Sequence, residues 1–515
     1  MWRAEDPQGN EAAKVRWEIV PFTRGDGLDL GCGPHKAFPH FVGVDNRKDT
    51  ALFGIEMAPD LVVETCERLD DVKDASLDFI FSSHLLEHIE DYGGALKDWW
   101  RCIKPGGHLV LYLPHKDLYP NIGTPGANPD HKHDFLPEDI TKAMQAIGGF
   151  DLLVSSPRSE DAEYSFLQVY RKREDARCRF PYLTATRPKK SVCVVRYGGF
   201  GDMLQACNIF PALKRQGYHV TVMTTPRGMD VIKHDPNVDD WFIQDPDQVP
   251  NHCLPEFWAA QAKHFDEFIN LSESVEGTLL AMPGRANHGW RDDIRRKYLG
   301  KNYLEFTAEL AGLPYTSEAQ FYPSSEERAG AQERQPADRF NILFALAGSS
   351  VHKFYPGQDN VIALALLNIP EVQVTLVGDE ACKILEAGWE NEPRVVCRSG
   401  ELGIRDTLAL AQTADVVVGP ETGVLNAVAF EGNAKVCLLS HSSVENLTKH
   451  WLNAVAIEPK APCYPCHRLH YSRQFCPEDD STGAALCSAS IDPHEVFAPV
   501  WDAYQQWQER HKEAA

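Results

Sequence analysis

The sequence predicts an α/β chain of several units, and three observations carry that expectation. Short apolar runs of strand length alternate with helical patterns. That alternation restarts twice, and polar, basic or proline-containing stretches separate the restarts. The chain has 515 residues, too many for one ordinary hydrophobic core, with 43% hydrophobic and 24% charged residues, as a folded globular chain requires.

The first unit is expected over residues 1–173. GLDLGC, HFVGVD, LDFIFSS and HLVLYLP read as buried strands, and YGGALKDWWRCI and LPEDITKAMQAIG read as helices between or after them. Residues 174–190 have the composition of a linker. SVCVVRYGGFGDMLQACNIFPALKRQGYHVTVMTT then restarts the strand, glycine turn and helix, which sets a second unit over 191–335. FNILFALAGSS opens a third over 336–515, where VQVTLVG, ADVVVGP and AKVCLLS are further strands and HEVFAPVWDAYQQWQERHKEAA is a closing helix.

Lysine and arginine total 51 against 74 aspartates and glutamates, a formal charge of −23. That balance disfavours a nonspecific nucleic-acid or anionic-membrane coat and leaves room for a phosphate-bearing small ligand. The first residues lack the pattern of a signal peptide, and no run approaches the ~20 apolar residues of a transmembrane helix. A cytoplasmic protein is expected, and the oligomeric state is left open.

In the first unit Gly31 and Gly33 follow a strand, and Asp45 ends the next. Glycines there let a ligand approach backbone N–H groups, and a carboxylate at the neighbouring strand tip accepts hydrogen bonds from a ribose diol. LDLGCGP (28–34), GVD (43–45), LDFIFSSHLLEHI (77–89) and IKPGGHLVLYLP (103–114) make this unit resemble the class I S-adenosylmethionine-dependent methyltransferases. The resemblance implies that Asp29, Gly31 and Gly33 cradle the amino-acid end of S-adenosylmethionine and that Asp45 holds its ribose. It places Glu67 and Leu69 beside adenine, and Ser83 and His84 near the sulfonium. His133 and Asp134, in the polar loop HKHDF with His131, are candidates for contact with the methyl acceptor. His84, Glu87 and His88 in HLLEHI lack the HExxH spacing of a zinc protease and carry no metal expectation.

In the second unit Gly198, Gly199 and Gly201 precede a helix entered by Asp202, which is a helix cap or a general base. In the third, Ser349, Ser350 and Lys353 follow one strand, and Glu421, Thr422 and Gly423 follow another; hydroxyls, a lysine and backbone N–H groups from two loops suit a pyrophosphate. RYGGFGDML (196–204), AGSSVHKFYP (347–356), VTLVGDE (374–380) and VVVGPETGVLNAVAF (416–430) make residues 191–511 resemble the bacterial heptosyltransferases of glycosyltransferase family 9.

That resemblance implies a GT-B module of two Rossmann-like domains behind the Rossmann-like methyltransferase domain. The first would take the acceptor and the second the nucleotide sugar, in an inverting, metal-independent transfer. Asp202 becomes the acceptor base, Lys353 and Ser350 approach phosphates, and Glu380 contacts the nucleoside. The family commonly has DTG with a histidine three residues after its glycine, where this chain has Glu421 and Asn426, so neither heptose nor an ADP donor is assigned.

Arg291, Arg295, Arg296 and Lys297 are candidates for an anionic acceptor or for a plain charged helix. Cys463, Cys466, Cys476 and Cys487 fall within 25 residues and could hold one structural zinc or iron ion, with disulfides or free thiols as the other readings. The expected function is a bifunctional enzyme: glycosyl transfer to a glycan or lipid-linked glycan, plus methylation of the sugar or acceptor. Transfer to modified, possibly phage, DNA bases and a non-catalytic nucleotide-binding scaffold are the alternatives.

Overall fold

A computed structural model describes residues 10–46, 51–52, 55–56, 59–157, 163–173, 190–244, 248–470 and 476–514. The chain divides into two compact units: Met1–Ser191 with Asp240–Glu267, and Val192–Asp239 with Phe268–Ala515.

The first unit is built on a seven-stranded sheet of Gly27–Leu30 (β1), Val42–Asp45 (β2), Leu61–Val62 (β3), Leu77–Ser83 (β4), Ile103–Pro114 (β5), Phe150–Pro157 (β6) and Ser165–Lys172 (β7), in the order β3-β2-β1-β4-β5-β7-β6. The first five strands run parallel, and β7 pairs antiparallel with both β5 and β6. Parallel strands need crossovers, and the helices that make them bury one face on the sheet. The helix Tyr92–Cys102 starts where the Asp91 side chain accepts the Gly94 N–H, and it stops before Pro105. Its Leu96, Trp99 and Trp100 join Leu28, Ile80, Leu109 and Leu111 in the core.

The segment that groups with this unit from far along the sequence carries the helix Leu254–Ala262. It lies beside the helix Glu11–Ile19, with Trp17 and Phe257 rings 6.4 Å apart and Gln261 donating to the Trp17 carbonyl at 2.8 Å. Gln248 donates to the Val20 carbonyl at 2.6 Å. Nothing in the composition of residues 240–267 announces this grouping.

In the second unit Ser191–Val195 (β8) and His219–Thr224 (β9) are neighbours in one sheet. A six-stranded parallel sheet is formed by Phe340–Ala345 (β10), Val372–Val377 (β11), Val395–Cys397 (β12), Val416–Pro420 (β13), Ala434–Leu438 (β14) and Ala454–Ile457 (β15), in the order β12-β11-β10-β13-β14-β15. The order reverses between β10 and β13, which puts the loops after these two strands on either side of a crevice at the carboxyl end of the sheet. The closing helix Pro493–Ala514 covers one face, burying Val496, Val500, Tyr504 and Trp507 against Phe340 and Val374.

Within this unit Arg405 is a clasp: it donates to the carbonyls of Asp230 and Tyr322 and forks onto Glu327. Glu327 also accepts the Ser324 N–H, so one carboxylate caps the helix Ser325–Arg334 and fixes Arg405. Hydrogen bonds from Arg405 hold its pKa down at about 2, from a reference of 4.5. A carboxylate with a depressed native pKa stabilises fully above its unfolded pKa, and that stabilisation is lost as pH falls through the native value. Glu327→Gln is therefore expected to lower the urea midpoint at pH 7, and the deficit against wild type should shrink as pH falls from 4.5 towards 2. A pH-independent deficit would contradict the assignment.

Candidate functional site

The two glycine loops expected to bind ligands lie one in each unit. In the first, Gly31 and Gly33 adopt left-handed backbone with φ of 68° and 54°, and a side chain at Gly31 would collide with Leu85. The loop is braced on β2: Gly31 N–H donates to the Val44 carbonyl at 2.8 Å, and Gly33 N–H donates to Asp45 Oδ2 at 3.1 Å. Asp45 thus stands at the tip of β2 beside the loop. Asp29, buried under the same loop, accepts the Ala37 N–H at 2.8 Å, and burial pushes its pKa up to about 7.

Glu67 is half-buried, whereas Leu69 is buried among core residues and its N–H donates to Asp98. Ser83 ends β4 with its hydroxyl buried and without a hydrogen-bond partner. His84 follows with a φ of 50°, a conformation that side chains seldom adopt, and its Nε2 lies 2.8 Å from Ser165 Oγ. Burial lowers its pKa to about 4. His133 Nε2 donates to the Glu90 carbonyl, and Asp134 accepts the Ile122 N–H, so both fasten the 121–134 loop. His131, from the same loop, is the residue brought against Glu87 and His88.

In the second unit the turn before the helix Phe200–Ala206 meets the turn before the helix Gly423–Ala427. A Cβ on Gly201 would lie 3.6 Å from Gly423 Cα and 3.5 Å from Asn426 Nδ2. Asp202 Oδ2 accepts the Gly199 N–H at 2.7 Å, while its Oδ1 lies 3.1 Å from Arg196. Arg196 is 2% exposed and also pairs with Glu276 at 3.0 Å. Two carboxylates therefore share one guanidinium. Burial and then the nearby Asp202 charge raise the Glu276 pKa, with Arg196 opposing.

Lys353 lies along Gly348, where the absence of a side chain leaves room for it next to the Thr422 methyl. Ser350 Oγ and Thr422 Oγ1 are both buried without a hydrogen-bond partner among the described residues. Buried hydroxyls normally find one, so these two suit a ligand oxygen. Ser349 is exposed beside them. Gly423 opens the facing helix, whereas Glu421 turns away from the crevice: its Oε1 accepts the N–H groups of Ser440, His441 and Ser442, and its Oε2 lies 3.1 Å from His441 Nδ1. Glu380 stands after β11 on the surface, paired with Lys383 at 2.9 Å.

Cys463, Cys466, Cys476 and Cys487 line one small cavity together with His352, Ser440 and His441. All four thiols are free. Burial and the neighbouring thiols push Cys476 up to about 11, while burial holds Cys466 and Cys487 at about 12. The loop is clamped from outside: Arg295 donates to the Cys466 carbonyl, and Arg296 donates to those of Pro462, Tyr464 and Pro465. These two arginines, for which the sequence leaves open an anionic acceptor or a plain charged helix, are engaged in holding the cysteine loop. Arg291 pairs with Asp293, and Lys297 lies over the Tyr298 ring.

Sequence reasoning missed Arg196 with Glu276, the partnership of His131 with Glu87, and the pairing of His352 Nε2 with His441 Nδ1 at 3.2 Å. Each joins segments far apart in the chain, and no local spacing signals them.

Residues 28–111 match the family model described as a methyltransferase domain. No curated protein matches the chain. Among solved structures, the chain is similar to a glycosyl transferase family 9 protein from Veillonella parvula, at 14% identity and a TM-score of 0.46 over 62% of this chain and 98% of that one. It is similar to E. coli ADP-heptose heptosyltransferase II, at 17% identity and a TM-score of 0.44 over 62% and 99%. A third similarity, at 19% identity and a TM-score of 0.25 over 32% and 98%, is to an S-adenosylmethionine-dependent methyltransferase from Mesorhizobium loti. Among the described residues no helix is long and apolar enough to cross a membrane.

Proposed function

We propose that the chain is a two-site transferase: one unit moves a methyl group from S-adenosylmethionine, the other a sugar from a nucleoside diphosphate. The observation that carries the glycosyl reading is the pair of buried, unpartnered hydroxyls, Ser350 Oγ and Thr422 Oγ1, on the two loops that carry Lys353 and Gly423, with the turn before Asp202 packed against Gly423. Two hydroxyls and an ammonium group offer donors to the diphosphate, and Lys353 offsets the charge that grows on it as the bond to the sugar breaks.

Asp202 accepts the proton of the acceptor hydroxyl as that oxygen bonds to the anomeric carbon from the face opposite the leaving diphosphate, which inverts the configuration. The proton enters a site where Asp202 and Glu276 share Arg196, so a neutral carboxyl relieves repulsion between the two. The residues named need no metal ion for this step. The acceptor class the reading favours is a glycan or lipid-linked glycan hydroxyl.

In the first unit the methyltransferase match over 28–111 contains the glycine loop and Asp45. S-adenosylmethionine, when bound, supplies an electrophilic methyl group. Gly31 and Gly33 leave backbone room for it, and Asp45 accepts from the ribose hydroxyls. The four cysteines fit a soft or borderline cation such as zinc or iron, which would lock the 463–487 loop in place.

Asp45→Ala is expected to weaken S-adenosylhomocysteine binding by at least about tenfold, the value of one charge-assisted hydrogen bond, as read by calorimetry. Unchanged affinity would reject the ribose role and with it the orientation assigned to the cofactor.

A further inference from the structure

The first unit carries a cluster that the transfer chemistry above does not use. Glu87 is 0% exposed, and among the described residues neither of its carboxylate oxygens finds a hydrogen-bond partner. Three imidazole nitrogens converge on its Oε1: His84 Nδ1 at 3.7 Å, His131 Nε2 at 3.8 Å and His88 Nε2 at 3.9 Å. These separations are too long for hydrogen bonds and close to the edge of a coordination polyhedron, which is about 3.4 Å for four ligands each ~2.1 Å from an ion. Closing separations of up to 4.8 Å to that edge takes about an ångström of side-chain movement.

We propose that Glu87, His88 and His131 bind a divalent transition-metal ion in the first unit, with His84 Nδ1 facing the same carboxylate. The ligand atoms of Glu87, His88 and His131 all lie within 4.8 Å of one another. Two segments are locked together to present them. The Glu87 carbonyl accepts the N–H groups of Lys132 at 2.7 Å and His133 at 3.2 Å, which ties the turn Leu86–His88 to the 131–133 loop. His133, bonded to the Glu90 carbonyl, and Asp134, bonded to Ile122 N–H, then act as positioning residues for His131.

His84 is also preset. Its Nε2 is engaged by Ser165 Oγ, which leaves Nδ1 directed at Glu87, and its left-handed backbone bends the chain so that it can reach there. Tyr119 stacks on His131 with ring centroids 5.4 Å apart and an interplanar angle of 27°, fixing the ring plane. Nitrogen donors with one carboxylate suit zinc, manganese, iron, cobalt or nickel, and the absence of thiolate from the set distinguishes its spectrum from that of the cysteine cluster. The His88 side chain is 30% exposed, so the site opens to solvent on that side and leaves a coordination position for water or an acceptor oxygen. This inference stands apart from the methyl-transfer reading: the ion would bind whether or not the unit is an active methyltransferase.

The test is a Co²⁺ titration of the metal-stripped full chain, followed by visible absorption and calorimetry. The expected result is one equivalent with d–d bands and no thiolate-to-cobalt charge transfer, bound in addition to the thiolate-type cobalt that the cysteine cluster takes up. That equivalent should persist in Cys463→Ser and be lost in both Glu87→Gln and His131→Asn. Melting curves of the metal-stripped variants identify any that fail to fold, and either folded variant suffices. Cobalt uptake that is entirely of thiolate type, or that survives in a folded Glu87→Gln or His131→Asn chain, would overturn the proposal.

Discussion

Asp202→Asn is expected to lower glycosyl transfer by about 10²–10⁴-fold while leaving nucleoside diphosphate affinity nearly unchanged. The amide keeps the shape of the side chain and can still accept the Gly199 N–H, so the turn before the helix Phe200–Ala206 should hold. It cannot accept a proton at neutral pH. It also leaves Arg196 to pair with Glu276, removing the Asp202 charge that adds to burial in raising the Glu276 pKa. Restored transfer at high pH would then report a hydroxyl ionising without its base. Initial rates with a nucleotide sugar, beside calorimetry with the matching diphosphate, separate the two effects. Equal losses of rate and of affinity would make Asp202 a structural cap.

The second large effect is expected from Cys463→Ser combined with Cys466→Ser. The change removes two of four soft donors from one cavity, so bound zinc or iron should fall by about one equivalent by elemental analysis. Breaking a structural metal site typically removes several kcal/mol, and here the loss should extend to the ligand crevice. His352 and His441 line the same cavity, and His352 precedes Lys353 in sequence. Ser488, next to Cys487, donates to the His352 carbonyl, and the His441 backbone is held by Glu421. A displaced cysteine loop therefore shifts the backbone that carries Lys353, and nucleotide affinity should drop along with melting temperature. Metal loss with unchanged melting and unchanged nucleotide binding would show that the cluster has no structural role.

The strand runs were legible because the driving pattern is local. β1, β2, β4 and β5 are short apolar runs, and their burial in a parallel sheet follows from that composition. The glycine loops were legible for a related reason, since Gly31 and Gly33 sit where a strand must turn sharply. What the sequence could not reveal is which distant groups answer each other. Glu421 was read as a ligand contact because it begins a strand-to-helix turn; its carboxylate instead closes on the Ser440–Ser442 backbone. Arg295 and Arg296 read as a basic face, yet their hydrogen bonds run to carbonyls of the cysteine loop. His131 looked like one polar residue in a polar loop, and only the pairing of Glu87 O with Lys132 and His133 brings it to Glu87. Tertiary pairing of this kind has no period and no spacing to find.

The central claim is that one chain holds two independent nucleotide-type sites, one for S-adenosylmethionine and one for a nucleoside diphosphate. Calorimetric titration of the wild-type chain with S-adenosylhomocysteine, and then with ADP, GDP, UDP and dTDP in turn, tests it most directly. The expected result is one equivalent of S-adenosylhomocysteine and one equivalent of a single preferred diphosphate, with neither ligand displacing the other. Absence of S-adenosylhomocysteine binding, absence of any diphosphate binding, or competition between the two would contradict the account.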